Sequence, residues 1–319
     1  MQMQERVDTM GAPPIALPPD DPFYMRILHI LLALWRIMTS SRKVATGCTI
    51  VGTFILVGLL GPFIIHIDPE ATSNLFIAPP SGAHWLGTTV VGQDIFSQLI
   101  NGTRTSVFWG LGTGLLVTLL SMLIGLVSGY FGGWIDDVLT LLTNVSLVLP
   151  ALPLAIVLAA YFPRGPLTIS LVIVLTNWAW QARVLRAQTL SMRGRDFVAA
   201  ARSSGEHTWR IIFFEIFPNE IGIVVAGFVS TTIYVVLTWA ALEFLGLGDG
   251  TIPSWGSILY WAQQAGALGG GLWWWFIPPG ACIAILGAGL SLINFGIDEI
   301  ADPRLRQRSN PKKLRKSAA

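Results

Sequence analysis

Residues 193–219, RGRDFVAAARSSGEHTWRIIFFEIFPN, form a long polar stretch between two apolar runs, dense in positive charge. Arg193, Arg195, Arg202 and Arg210 lie within it, and Arg183 and Arg186 just precede it. Lys and Arg near span ends are retained on the cytoplasmic side of a membrane, so this loop belongs inside. It also reads as structured. Asp196 is placed to cap a helix over Phe197-Val198-Ala199-Ala200-Ala201-Arg202, and Gly205 offers a stop. His207-Thr208 restarts the chain, and an amphipathic piece from Trp209 to Phe217 is expected to end at Pro218. Two short helices around a glycine, held at an inner membrane surface, suggest a docking surface for a soluble partner.

Composition sets the membrane context. Of 319 residues, 53% are hydrophobic and only 12% charged, against about 25% charged in soluble domains. The deficit is accounted for if most of the surface faces lipid. Membrane topology explains the arginines without any nucleic-acid partner. Cys48 and Cys282 fall inside apolar runs and read as small buried residues, neither a disulfide nor a metal site. No cleavable signal peptide is expected from the polar, Pro-rich start.

Six spans follow from the apolar runs: 44–65, 105–130, 134–161, 167–183, 221–247 and 272–295. Residues 1–43 read as a cytoplasmic tail followed by an interfacial amphipathic helix over 23–38, interrupted by Arg26 and Arg36. Residues 44–104 hold the first span and an external loop, 105–297 the core of the bundle, and 298–319 a basic cytoplasmic tail. Gly132-Gly133 marks a tight inner turn, and Pro150 and Pro153 predict a kink in the third span. Of the 20 Lys and Arg, only Arg104 and Arg164 fall on the proposed outside. Both termini and the central loop are therefore cytoplasmic. The inner turn at 131–137 strains this assignment, since it carries Asp136 and Asp137 and no cation.

No catalytic arrangement is visible. His29, His66, His84 and His207 are scattered without metal-ligand spacing, and Gly269-Gly270-Gly271 lacks the Lys-Ser/Thr of a phosphate loop. No catalytic, cofactor-binding or metal-ligating residue is expected, and the chain is not read as an enzyme. Ionisable groups inside spans are functional candidates, and Glu243 in Trp239-Ala-Ala-Leu-Glu243 is the clearest. It is either an interfacial carboxylate capped by the following loop or an acid facing a transport pathway, with Trp239 one turn away. Asn144 and Asn177 are read as interhelical hydrogen-bonding groups first and pathway residues second.

The central loop resembles the EAA segment of the membrane subunits of ABC importers, a helix–Gly–helix element that docks into an ATPase. Ala199-Ala200-Ala201-Arg202-Ser-Ser-Gly205 is followed thirteen residues after the glycine by Pro218-Asn219. Ala199 stands where the family has a glutamate, and Glu215 where a histidine is common. Leu86 to Arg104, Phe244 to Gly248 with Pro253-Ser-Trp-Gly256, and Asn294 to Arg306 are similar to stretches of C-type permeases in the dipeptide/oligopeptide (Opp/Dpp-like) branch. The resemblance implies an all-α membrane protein of six transmembrane helices with the MetI-like type I importer fold and cytoplasmic coupling helices. It implies that Phe197, Ala199, Ala200, Ala201, Arg202, Gly205, Glu206, Trp209, Arg210, Glu215 and Pro218 form the coupling loop. It further implies a B-type permease, two ATPase subunits carrying ATP and Mg, and an extracytoplasmic substrate-binding protein, in the inner membrane of a prokaryote. The rival reading is an ion-coupled secondary transporter or channel, with Glu243, Asp136 and Asp137 as coupling acids.

Overall fold

A computed structural model of the chain describes residues 42–64 and 68–301. The expected N-terminal tail, the interfacial helix over 23–38 and the basic tail beyond 301 lie outside these residues. The described residues form helices and turns, with two isolated bridges, Thr72 to Gln93 and Thr88 to Asp94, in the loop before the second helix.

Helix α1 covers Arg42–Ile64 and α2 covers Ile95–Phe131. Next come α3, Gly133–Val148, α4, Ala151–Tyr161, α5, Pro166–Asn177, α6, Ala179–Arg193, and the short α7, Asp196–Ser203. Helix α8 runs without a break over Thr208–Phe244. Helix α9, Trp255–Gln264, and α10, Trp273–Ala301, complete the bundle. Among the described residues four helices (α1, α2, α8 and α10) are long and apolar enough to cross a membrane, or five if the bent pair α3–α4 is one span. The expected fourth span falls on α5, only 12 residues long, continued by the more polar α6. The arrangement is compatible with six crossings.

Helix α2 is the axis of the bundle. At 1.5 Å per residue its 37 residues extend about 55 Å, well beyond a hydrocarbon core of about 30 Å. Its first turns carry Ser97, Gln98, Asn101 and Arg104, and the helix begins ten residues before the span expected at 105. The boundary drawn at 104/105 thus falls inside one continuous element. Asp94 starts it, accepting the Ser97 N–H at 2.7 Å, and His84 Nδ1 holds the other carboxylate oxygen at 2.7 Å.

Small residues let neighbours approach α2 closely, because helices in lipid associate by packing rather than by exclusion of water. A Cβ at Gly110 or Gly114 would meet Val236 or Thr232 of α8 at 2.8 and 2.5 Å. A Cβ at Gly125 or Gly129 would meet Leu185 or Thr189 of α6 at 2.7 and 2.6 Å. Hydroxyls on the same faces are spent internally. Ser121 reaches the Trp178 carbonyl at 2.7 Å, where α5 breaks into α6, and Thr113 meets Ser170 of α5 at 2.7 Å.

The kink expected from Pro150 and Pro153 is a full bend. Helices α3 and α4 meet at 92°, with Leu149 extended ahead of Pro150, as a residue preceding proline must be. The acidic inner turn is also resolved. Arg186 of α6 grips Asp136 with both edges of its guanidinium, Nε to Oδ1 at 2.5 Å and Nη2 to Oδ2 at 2.7 Å. The cation missing from the turn is supplied by Arg186 of α6.

Candidate functional site

Residues 193–219 form a knob at one end of the bundle. Helix α7 ends in a left-handed turn: Gly205 has φ +77°, its N–H bonds the Arg202 carbonyl, and the Glu206 N–H bonds that of Ala201. This pairing satisfies the orphan carbonyls of a helix end and favours glycine at that position. Asp196 occupies the first helical turn and makes no capping bond; Arg195 is the N-cap residue. The expected side-chain cap is thus replaced by a charge near the positive end of the helix dipole.

The knob has a buried base and an exposed crown. Val198, Ile211, Ile212 and Ile216 are buried against Leu126 and Tyr130 at the end of α2. Arg202 stacks over the Tyr130 ring at 5.0 Å and donates to its hydroxyl at 3.3 Å. Arg210 and Glu206 form an ion pair one turn apart. Phe197, Ala199, Ala200 and Gly205 stay exposed, and Trp209 is 54% exposed while stacked on Phe213 at 5.8 Å. Glu215 is half-buried and Pro218 exposed.

Pro218 does not end the second helix. A π turn over Ile211–Ile216 lets α8 continue from Thr208 through the proline into the span. The Phe217 N–H reaches back five residues to the Ile212 carbonyl. A proline clashes with the carbonyl four residues earlier and offers it no N–H; widening the preceding turn accommodates both defects. The second coupling helix is therefore the lower end of α8 itself.

The candidate pathway residues do not converge on one point. Glu243 is 4% exposed at the far end of α8, where its Oε2 accepts the Ser254 hydroxyl. Gly248 and Gly256 press on it, and a Cβ at Gly256 would stand 2.6 Å from its own Cβ. Trp239 is buried one turn below and stacks on Trp109 of α2 at 5.8 Å. Asn144 accepts from Arg183 Nη2 at 2.7 Å, an interhelical bond between α3 and α6. Asn177 instead spends its amide on Ile173 and Thr176 of its own helix.

Glu220 escaped the sequence reading. It is fully buried near the knob and accepts from the Thr189 hydroxyl at 3.1 and 3.2 Å. With the span placed from 221, Glu220 fell just outside it; a continuous helix through Pro218 was the missing signal. Gln181 likewise sits inside the bundle, accepting from Thr231 at 3.1 Å, while its amide nitrogen has no partner among the described residues.

A lipid-sized helical bundle with a structured polar knob at one end and a closed polar clasp at the other is the architecture of a transport subunit. Residues 121–307 match the model of the binding-protein-dependent transport system inner membrane component. The chain belongs to this family. It is 32% identical over 284 residues to the oligopeptide transport system permease protein OppC of Bacillus subtilis, covering 86% of this chain and 92% of that protein. It is 27% identical over 312 residues to the dipeptide permease DppC of Alkalihalophilus pseudofirmus, covering 96% and 100%. The glutathione permease GsiD of Pectobacterium atrosepticum is 30% identical over 71% of this chain and 75% of its own length. The chain is a multi-pass membrane permease subunit of an ABC-type transport system and not an enzyme. It operates alongside the other components of such a system.

Proposed function

We propose that this chain forms half of the translocation pathway of an ATP-driven importer for peptides, paired with a B-type permease in a prokaryotic inner membrane. A pair of ATPase subunits, holding ATP and Mg, couples to this chain through the 193–219 segment, and an extracytoplasmic binding protein delivers substrate to the opposite end. Both termini are cytoplasmic in this reading. Peptide as the cargo class is supported by what the similar permeases are named for, oligopeptides, dipeptides and glutathione.

The observation that carries the docking role is the knob's two-sided construction. Its base is welded to the end of α2, while Phe197, Trp209 and Phe214 remain exposed on it. Exposed aromatics on a rigid, non-spanning protrusion are the anchors expected of a protein interface. Ala199, in place of the family's glutamate, removes one ion pair with the ATPase and leaves the shape intact. Because α8 is continuous from the knob to Glu243, a push on the knob is transmitted along a rigid element of about 55 Å.

Co-purification tests this. The intact complex extracted in detergent should retain nucleotide-hydrolysing subunits, and a crosslinker placed at Ala200→Cys should join this chain to one of them. Capture of an extracytoplasmic protein through that position would overturn the assignment.

A further inference from the structure

At the end of the bundle opposite the knob, the loop before α2 and the segment 250–265 enclose a recess of about 580 Å³. This is within the range of small-ligand sites. Among the described residues its lining mixes Glu70, Gln93, Gln98, Ser257 and Gln264 with the indoles of Trp261 and Trp275, and includes no lysine or arginine.

The direction of the hydrogen bonds is informative. Gln98 Nε2 donates to Gln93 Oε1 at 2.9 Å and to the Pro69 carbonyl at 3.4 Å, so both its hydrogens are used. Gln93 Nε2 donates to the Glu70 carbonyl at 3.4 Å, and the Trp261 N–H to the Gly250 carbonyl at 3.4 Å. The Ser257 hydroxyl faces the carbonyls of Ile252 and Ser254, and the Thr251 hydroxyl is given to Asp249. The same Thr251, through its N–H and hydroxyl, holds the Asp249 carboxyl below its usual range and keeps it charged beside the rim. The walls have thus committed these donors to the protein. The same walls also carry the Thr89 hydroxyl and the Gln264 amide, and what they offer a cation is the Glu70 carboxylate and the Gln98 amide oxygen, together with the face of a half-exposed indole.

We infer that this recess is a binding site for a primary ammonium group carried on an amphipathic ligand. An ammonium has three donors and no acceptor, and an indole face attracts a cation. The recess therefore complements it in hydrogen bonding and in charge, while Val90, Val91 and Ile258 take an apolar side chain. On the importer reading above, the ammonium belongs to a peptide entering the pathway, as its amino terminus or a lysine side chain.

The test uses the intact complex in lipid nanodiscs, with Cys48 and Cys282 replaced by alanine and Gln264→Cys as the reporter. An ammonium-bearing methanethiosulfonate should label it at least about fivefold faster than a sulfonate-bearing one, relative to a free thiol, and Glu70→Gln should bring the two rates together. Trp261→Leu should weaken protection by a free-amino tripeptide about threefold. A free-amino tripeptide should protect the thiol at lower concentration than its N-acetyl form; protection by an N-acetyl lysine peptide would assign the ammonium to side chains as well. Equal rates for the two reagents, or a ratio untouched by Glu70→Gln, would overturn the site. Labelling needs no ATP. Charge selectivity with protection by simple alkylammonium ions but by no peptide would keep the recess and count against the peptide importer instead.

Discussion

The two ends of helix α8 are built on opposite plans. At Thr208 the helix emerges into a knob whose isoleucines are buried and whose aromatics are exposed. At Phe244 it closes under a loop, with Glu243 buried against Ser254 and two glycines pressed onto the carboxylate. One end leaves Phe197, Trp209 and Phe214 exposed; the other is already satisfied by its own chain. Because one unbroken helix joins them, a load on the open end reaches the closed end. That asymmetry suits a subunit whose energy arrives from a neighbour on one side and whose gate lies on the other.

The largest effect is expected from blocking the open end. Gly205 has free space around it and φ +77°, so Gly205→Trp places bulk on the crown without disturbing the base. Substrate-stimulated uptake in proteoliposomes should fall by about tenfold or more, since complete loss of an interface anchor is worth 2 kcal/mol or above. Left-handed backbone strain alone costs about 1–2 kcal/mol. Gly205→Asn, which tolerates that conformation, should therefore retain most transport. Normal uptake by the tryptophan variant would remove the contrast between the two ends.

Breaking the closed end should lower stability more than coupling. Glu243→Leu leaves the Ser254 hydroxyl without its acceptor in a buried site and should destabilise the subunit by about 1–3 kcal/mol, read as a lower midpoint of thermal unfolding in detergent. Glu243→Gln preserves an acceptor and should lose much less. A Gln variant that discriminated amine-bearing from neutral substrates in uptake, at unchanged stability, would instead return Glu243 to the pathway.

A smaller effect tests what holds the bent α3 to the knob side. Arg186→Met strands the partly buried Asp136 carboxylate, and the double change with Asp136→Asn should recover part of the loss. A coupling energy of about 1–2 kcal/mol in the thermal-stability cycle is expected. Strict additivity would make the pair a surface contact.

How much of this was readable in the sequence differs between the two ends. The knob was legible because its signals are local: Gly205, the alanine run and the arginines each fix a nearby backbone state or a membrane side. The continuity through Pro218 was not, because a π turn depends on three isoleucines finding the end of α2, a tertiary demand. The early start of α2 was hidden by Gln98, Asn101 and Arg104, which lower hydropathy without lowering helicity. The Asp136–Arg186 pair joins residues fifty positions apart, and the acidic turn was puzzling for that reason alone. Glu243 was noticed, but its surroundings depend on how the loop at 248–256 folds back, which no helical period reveals.

The smallest effect is the one that asks what causes the π turn. If Pro218 alone imposes it, Pro218→Ala lets the ladder revert to regular bonding, and the chain from Thr208 to Ile216 must rotate by about 100° against the span, one residue of helical phase. That rotation would pull Ile211, Ile212 and Ile216 out of their contacts with Leu126 and Tyr130. Fully burying a single isoleucine is worth about 1.5–3 kcal/mol, so exposing several outweighs a regularised turn. The packing should therefore hold the turn without the proline. The expected result is a change in stability below about 0.5 kcal/mol, uptake close to the parent, and an unchanged pattern of cysteine accessibility at positions 209, 213 and 214. A shifted accessibility pattern would mean that the proline, and not the base of the knob, sets the direction in which the crown points.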